Sequence, residues 1–315
     1  MTGRYPRIRQ YGEHGQLVLR EGLFLCFFMR RPHDELTQAV TRALDLYLDA
    51  VGPAKLGWYL DPQKDHDPEE NKGAEALMRP LDSGSWARIR NELRDPTPCI
   101  LQLQEHENQV GGFHFEYYGR QRSTLERPTW PDVVSALSFW LPTEYLEEVG
   151  ASRVREMAMA MARELPINSG YVSLAFNYLV RLEEVVQAVH EHCFRYPGLD
   201  VHDLSEASME IGTRVRGAYW LNFYGQPLLE QLGGTRGLRE QLGSPPISIE
   251  DLGEEKVLVA LGEEPGTGDV EQNSEMQPYR ALARVLEPFS YKESADWFGF
   301  SPPQLRQWQR RFLDP

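Results

Sequence analysis

A chain of 315 residues, 41% apolar and 25% charged, is long enough to bury one large core or two modest ones, and this make-up excludes disorder as its resting state. A net charge of −14 argues against direct binding to nucleic acid, where affinity comes largely from Lys and Arg neutralising phosphates, and favours a basic partner; solubility is the plainer reading of the same charge. Cys26, Cys99 and Cys193 are an odd set without a close pair, which excludes a disulfide framework and a zinc ribbon.

The first predicted element is a strand over 17–29, a β-compatible apolar and aromatic run that suits burial on both faces. With Arg4, Arg7, Arg9 and Arg20 before it, the LFLCFFM segment imitates a secretory leader. It is short, Arg30 and Arg31 end it, and no small-residue cleavage pattern follows, so the chain is expected to stay in the cytoplasm. Nothing approaches the ~20 apolar residues of a membrane span. Leu36, Val40, Ala43, Leu44, Tyr47 and Leu48 recur at helical spacing over 33–51, and Gly52-Pro53 ends that helix.

A short strand is expected at 55–60, a polar acidic loop at 61–71, and helices at 69–78 and 83–93. Alternation over 98–105 and 110–118 predicts a hairpin turned at 108–112. A loop at 119–131, a buried strand at 132–141 and one long helix from Pro142 to about 165 follow. Further on come a strand at 171–176, a helix at 181–192 and a strand at 214–222. A helical turn at 228–232 is stopped by Gly233-Gly234, with a second short helix at 238–242. Strands at 247–252 and 256–261 form an antiparallel pair; a loop at 263–274 and helices at 276–286 and 301–313 complete the chain. The strand-helix-strand order of 17–60 recurs over 133–176, which predicts an α+β fold with a mixed or antiparallel sheet flanked by helices, possible halves at 17–131 and 132–288, an extension at 1–16 and a helical tail at 289–315.

No phosphate loop, His-Glu-x-x-His, Gly-x-Ser-x-Gly elbow or zinc spacing is present. The glycines at 233–237 lack the flanking strand of a phosphate-binding turn and read as a helix stop. His190 and His192 are two apart on a helix and diverge. His114 and Glu116 are two apart on a strand and share a face, the best acid/base geometry in the chain, although a solvent-facing strand side explains them equally well. Asp61, Asp65 and Asp67 fail the calcium-loop pattern. Trp308, Arg306, Arg310 and Arg311 near Trp297 read as a basic amphipathic helix docked on an acidic protein. No catalytic residue, metal site or cofactor is expected.

Four blocks follow one another in order: Tyr196-Pro197-Gly198-Leu199-Asp200, Gly217-Ala218-Tyr219-Trp220-Leu221-Asn222, the run from Leu228 to Gly233-Gly234, and Glu264-Pro265-Gly266-Thr267-Gly268-Asp269-Val270. Together they resemble the bacterial type VI secretion immunity protein family, formerly a family of unknown function and encoded beside polymorphic toxins, over about 17–288. The resemblance implies a non-enzymatic protein that binds and neutralises a cognate effector toxin, most often a basic nuclease domain, by filling its active groove or blocking its functional assembly. An adaptor that loads an effector, or a small hydrolase using His114 and Glu116, is the alternative. Pro197, Gly198, Asp200, Trp220, Gly233, Gly234, Gly268 and Asp269 read as scaffold, since aromatic burial and tight reversal account for them. Contact residues belong in exposed acidic loops, which nominates Asp65, Asp67, Glu69 and Glu70, and Glu263, Glu264 and Asp269.

Overall fold

The computed structural model describes residues 4–60, 78–179, 182–272, 274–293 and 297–314. Its strands are β1 (Arg9–Tyr11), β2 (Leu17–Met29), β3 (Trp58–Leu60), β4 (Met78–Pro80), β5 (Cys99–Gln104), β6 (His114–Gly119), β7 (Ser135–Leu141), β8 (Ser169–Tyr178), β9 (Leu199–Val201), β10 (Leu221–Tyr224), β11 (Ser248–Gly253) and β12 (Lys256–Ala260). The helices are α1 (His33–Val51), α2 (Ser83–Arg94), α3 (Arg122–Leu125), α4 (Thr143–Val149), α5 (Ala151–Glu164), α6 (Glu183–Arg195), α7 (Leu204–Glu210), α8 (Leu228–Gln231), α9 (Gly234–Leu242), α10 (Gln277–Leu286) and α11 (Pro302–Gln309).

All these strands join one sheet in the order β11-β12-β10-β8-β2-β7-β6-β5-β3-β4, with β1 on the start of β2 and β9 parallel to β8. The other pairings are antiparallel, so the fold is α+β. Every residue of β2 is buried, as its unbroken apolar run requires of a central strand. It lies between β7 and β8, so strands from the two sequence stretches interleave.

Alternation along β2 divides the interior. Leu23, Leu25, Phe27 and Met29 join the larger core with α1, α2 and α5, while Phe24, Cys26 and Phe28 join a smaller core on the other face with Leu204 and Ala207 of α7 and Ile211 just after it. Glu21 also sits on β2, 1% exposed. Its carboxylate accepts from Arg9 Nη2 (2.9 Å), the backbone N–H of Ile8 (2.9 Å) and Thr143 Oγ1 (2.9 Å), and Arg7 Nη1 lies at 3.4 Å. Two of the arginines that imitate a leader thus neutralise a charge that burial would otherwise make costly.

Several expectations need correction. The single helix expected from Pro142 to 165 is two, α4 and α5, because Gly150 takes φ +83°, a positive-φ conformation that breaks the helical ladder and that glycine adopts without a Cβ clash. The strand expected at 214–222 is confined to β10. Its earlier backbone groups bond elsewhere: Val215 N to Phe289 O, Tyr291 N to Val215 O, and Tyr219 N to the Asn222 side chain. The strand expected at 55–60 starts at Trp58 because a 3-10 turn occupies Pro53–Lys55, and that at 132–141 starts at Ser135. The loop at 119–131 holds the short α3. Gly233 ends α8 as expected, but Gly234 already opens α9. The acidic loop at 61–71 and nearly all of the helix expected at 69–78 lie outside the described residues; Met78 opens β4.

Candidate functional site

The sequences of β5 and β6, CILQLQ and HFEYYG, alternate apolar and polar residues. Leu101, Leu103, Phe115 and Tyr117 therefore enter the larger core, and Gln102, Gln104, His114 and Glu116 point to the opposite face. Register extends this polar set: Gln104, His114, Trp140 and Phe24 stand abreast on four neighbouring strands, as do Gln102, Glu116, Ser138 and Cys26. Helix α7 covers only part of this face. Beside it remains a cavity of about 320 Å³, floored by His114, Glu116 and Trp140 and walled by His202, Asp203 and Tyr178.

Polar demand in this cavity exceeds supply. The Glu116 carboxylate accepts from Gln102 Nε2 (2.9 Å) and the Tyr118 hydroxyl (2.7 Å), both neutral donors. Burial pushes its pKa up to about 7, helped by the negative charge of Asp203. Burial also drives His114 down to about 4, so its imidazole is neutral, and its Nε2 is buried without a hydrogen-bond partner. The pair sequence reasoning singled out thus lines a concave site. Within it Glu116 is held by Gln102 and Tyr118, while His114 Nε2 keeps an unused hydrogen-bonding position.

Next to this cavity lies a buried ionic centre. Asp200, 1% exposed, accepts from the hydroxyls of Tyr171 (2.8 Å) and Tyr219 (3.2 Å), and has the guanidinium nitrogens of Arg216 and Arg311 at 3.7 Å. Arg216 also pairs with Glu293. Arg311 follows α11, and its Nε donates to Pro197 O (3.0 Å). Trp308 and Phe312 are buried, so the C-terminal helix docks on the body of the protein. A second cleft, about 560 Å³, opens between this centre and α11.

Three of the four sequence blocks that stood apart meet here. Gly198 N donates to Thr267 O (2.9 Å), and a Cβ at Gly198 would stand 2.1 Å from Gly266 O, so the 196–200 and 264–270 blocks pack backbone on backbone with Pro197 against Gly268. Trp220 is fully buried and its indole N–H donates to Gly262 O (3.1 Å). Asp269 is buried; its carboxylate accepts from the N–H of Glu271 (3.1 Å) and from Gln272 Nε2 (3.0 Å), with Arg195 Nε at 3.4 Å. Glu263 is exposed, and Glu264 pairs with Arg4. Asp65, Asp67, Glu69 and Glu70 lie outside the described residues. The three cysteines are buried free thiols. Among the described residues no group of three or more His, Cys, Asp or Glu could hold a metal ion, and no helix is long and apolar enough to cross a membrane.

Sequence reasoning missed His202, Trp140, Asn177 and Asp203 as cavity residues. Only Gln102 and Gln104 carried a local signal, as polar positions alternating with leucine. His202 stands next to the family-like 196–200 block, but nothing local aims it at His114.

Residues 39–312 match the family model described as TsiV, type VI immunity for VRR-NUC; the match runs into the docked C-terminal helix. Among solved structures, the chain is similar to the Pseudomonas aeruginosa T6SS protein PA0821, at 19% identity and a TM-score of 0.77, over 99% of this chain and 88% of that one. At that identity the likeness speaks for the fold. No curated protein matches the chain.

Proposed function

Because this chain belongs to the TsiV family, described as type VI immunity for VRR-NUC, we propose that it acts in the cytoplasm by binding a VRR-NUC nuclease effector and abolishing its activity. The family match over most of the chain carries this reading. Two features support it. A net charge of −14 complements the positive groove a nuclease needs for its substrate, which raises the association rate and favours occlusion of that groove by carboxylates. The concave sheet face at β5 and β6 offers an accessible polar site on a rigid platform. The chain itself has no role in turnover and makes no contact with nucleic acid or membrane.

The test is the affinity of the purified chain for a VRR-NUC nuclease domain from the same genome, at low and moderate salt, with DNA cleavage followed in the same samples. Nanomolar binding that weakens with salt, together with lost cleavage, is the expected result. No binding at either salt overturns the reading. Tight binding with cleavage intact replaces immunity with an effector-loading adaptor.

A further inference from the structure

His202 has only one tautomer open to it. Burial holds Tyr171 and Tyr219 well above the usual phenol range, so both keep their hydrogens. Tyr171 gives its single hydrogen to Asp200. The 2.9 Å contact between Tyr171 Oη and His202 Nδ1 therefore requires Nδ1–H to donate and leaves Nε2 with a bare lone pair. His202 is neutral, pushed well below its ordinary value by burial and by Arg216. It is 6% exposed, it lines the cavity, and its Nε2 is buried without a partner. A chain of hydrogen bonds from the buried ionic centre thus leaves a bare acceptor on a residue that lines the cavity.

His114 Nε2 adds a second buried unpaired nitrogen, and Glu116 a carboxylate whose donors among the described residues are neutral. Asp203 lies close enough to raise Glu116 further. No Lys or Arg stands among the described lining residues, while Phe24, Trp140 and Tyr178 supply aromatic walls. Such a cavity lacks what a planar cation with several N–H groups provides. A guanidinium offers five donors in one plane, a charge for Glu116 and a face that stacks on aromatic rings; an ammonium offers a point charge with three donors.

We propose that this cavity is a guanidinium-binding site that receives an arginine side chain of the bound effector, with Glu116 as charge partner and His202 Nε2 as a directed acceptor. Only the source of the guanidinium rests on the immunity reading; the chemistry of the site stands apart from it. The experiment titrates the full chain with agmatine and, in parallel, propylamine, following the imidazole resonances of His114 and His202 by NMR. Saturable agmatine binding is expected, weakened about tenfold or more in Glu116→Gln and in His202→Phe, with the melting transitions of both variants confirming that they fold. Absence of saturable shifts, equal affinity for propylamine, or indifference to Glu116→Gln overturns the site.

A second arm measures the VRR-NUC domain against the same variants. Weaker effector binding in Glu116→Gln, and competition by agmatine, support the arginine side chain as the source. Agmatine binding with unchanged effector affinity in Glu116→Gln overturns that source and leaves a site for a free guanidino compound. Effector binding without agmatine binding overturns the site but not the immunity function.

Discussion

Glu21 and Glu116 are carboxylates set into the same sheet, on opposite faces, and the chain treats them differently. Glu21 is enclosed by Arg9, Arg7, Thr143 and the Ile8 amide; among the described residues Glu116 accepts only from Gln102 and Tyr118 and faces a cavity. A buried charge with its counter-ions in place is finished structure. One held by neutral donors beside unpaired imidazole nitrogens is a group whose demand is left for another molecule to satisfy. The contrast separates scaffold from site more sharply than exposure does.

The largest effect that can break this comparison is expected at Glu21. Glu21→Ala takes the acceptor from the buried Ile8 amide and Thr143 hydroxyl and leaves Arg9 with Glu144 alone, and is expected to cost about 3–5 kcal/mol in urea unfolding; a loss below about 1 kcal/mol would place Glu21 with ordinary surface pairs.

Next in size is the pH dependence of stability. The folded pKa of Glu116, about 7, lies above its ordinary 4.5, so its contribution is fully present below about 4.5 and is lost as pH rises to about 7, up to about 3 kcal/mol in all. His114 runs oppositely: its folded value near 4 lies below 6.5, so its contribution is full above about 6.5 and is lost as pH falls towards 4. In Glu116→Gln only the second slope remains, and unfolding free energy should climb more steeply between pH 4.5 and 7 than in the parent. Superimposable profiles would show that Glu116 is not held as an unpaired charge.

Smaller still, Gln102→Leu removes a neutral donor from Glu116 and is expected to cost about 1 kcal/mol at pH 8 and less at pH 5, where the carboxyl carries its own proton. Equal losses at the two pH values would assign the effect to packing. Least of all, Glu144→Gln acts at the rim of the Glu21 network. Glu144 is held down to about 2, its own backbone N–H and Arg9 and Arg20 outweighing burial, but its side chain is 50% exposed, so solvent screening limits the loss to ~1 kcal/mol or less.

Local sequence determined much of this protein. The unbroken apolar run of β2, the helical spacing of α1, the hairpin of β5 and β6 and the antiparallel pair of β11 and β12 are all legible because strand and helix periodicity follow from backbone geometry alone. So was the shared face of His114 and Glu116, two residues apart on one strand. The tertiary structure alone decided what that face contains. Sheet order set Trp140 and Phe24 beside His114, the path after β9 brought His202 over them, and burial, which is a sum over the whole fold, drew the pKa values of Glu116 and His114 from their ordinary positions. It also joined the 196–200 and 264–270 blocks at Gly198 and gave the leader-like arginines their carboxylate on β2. Contacts between residues distant in sequence depend on how the strands are ordered, and no periodicity along the chain encodes that order.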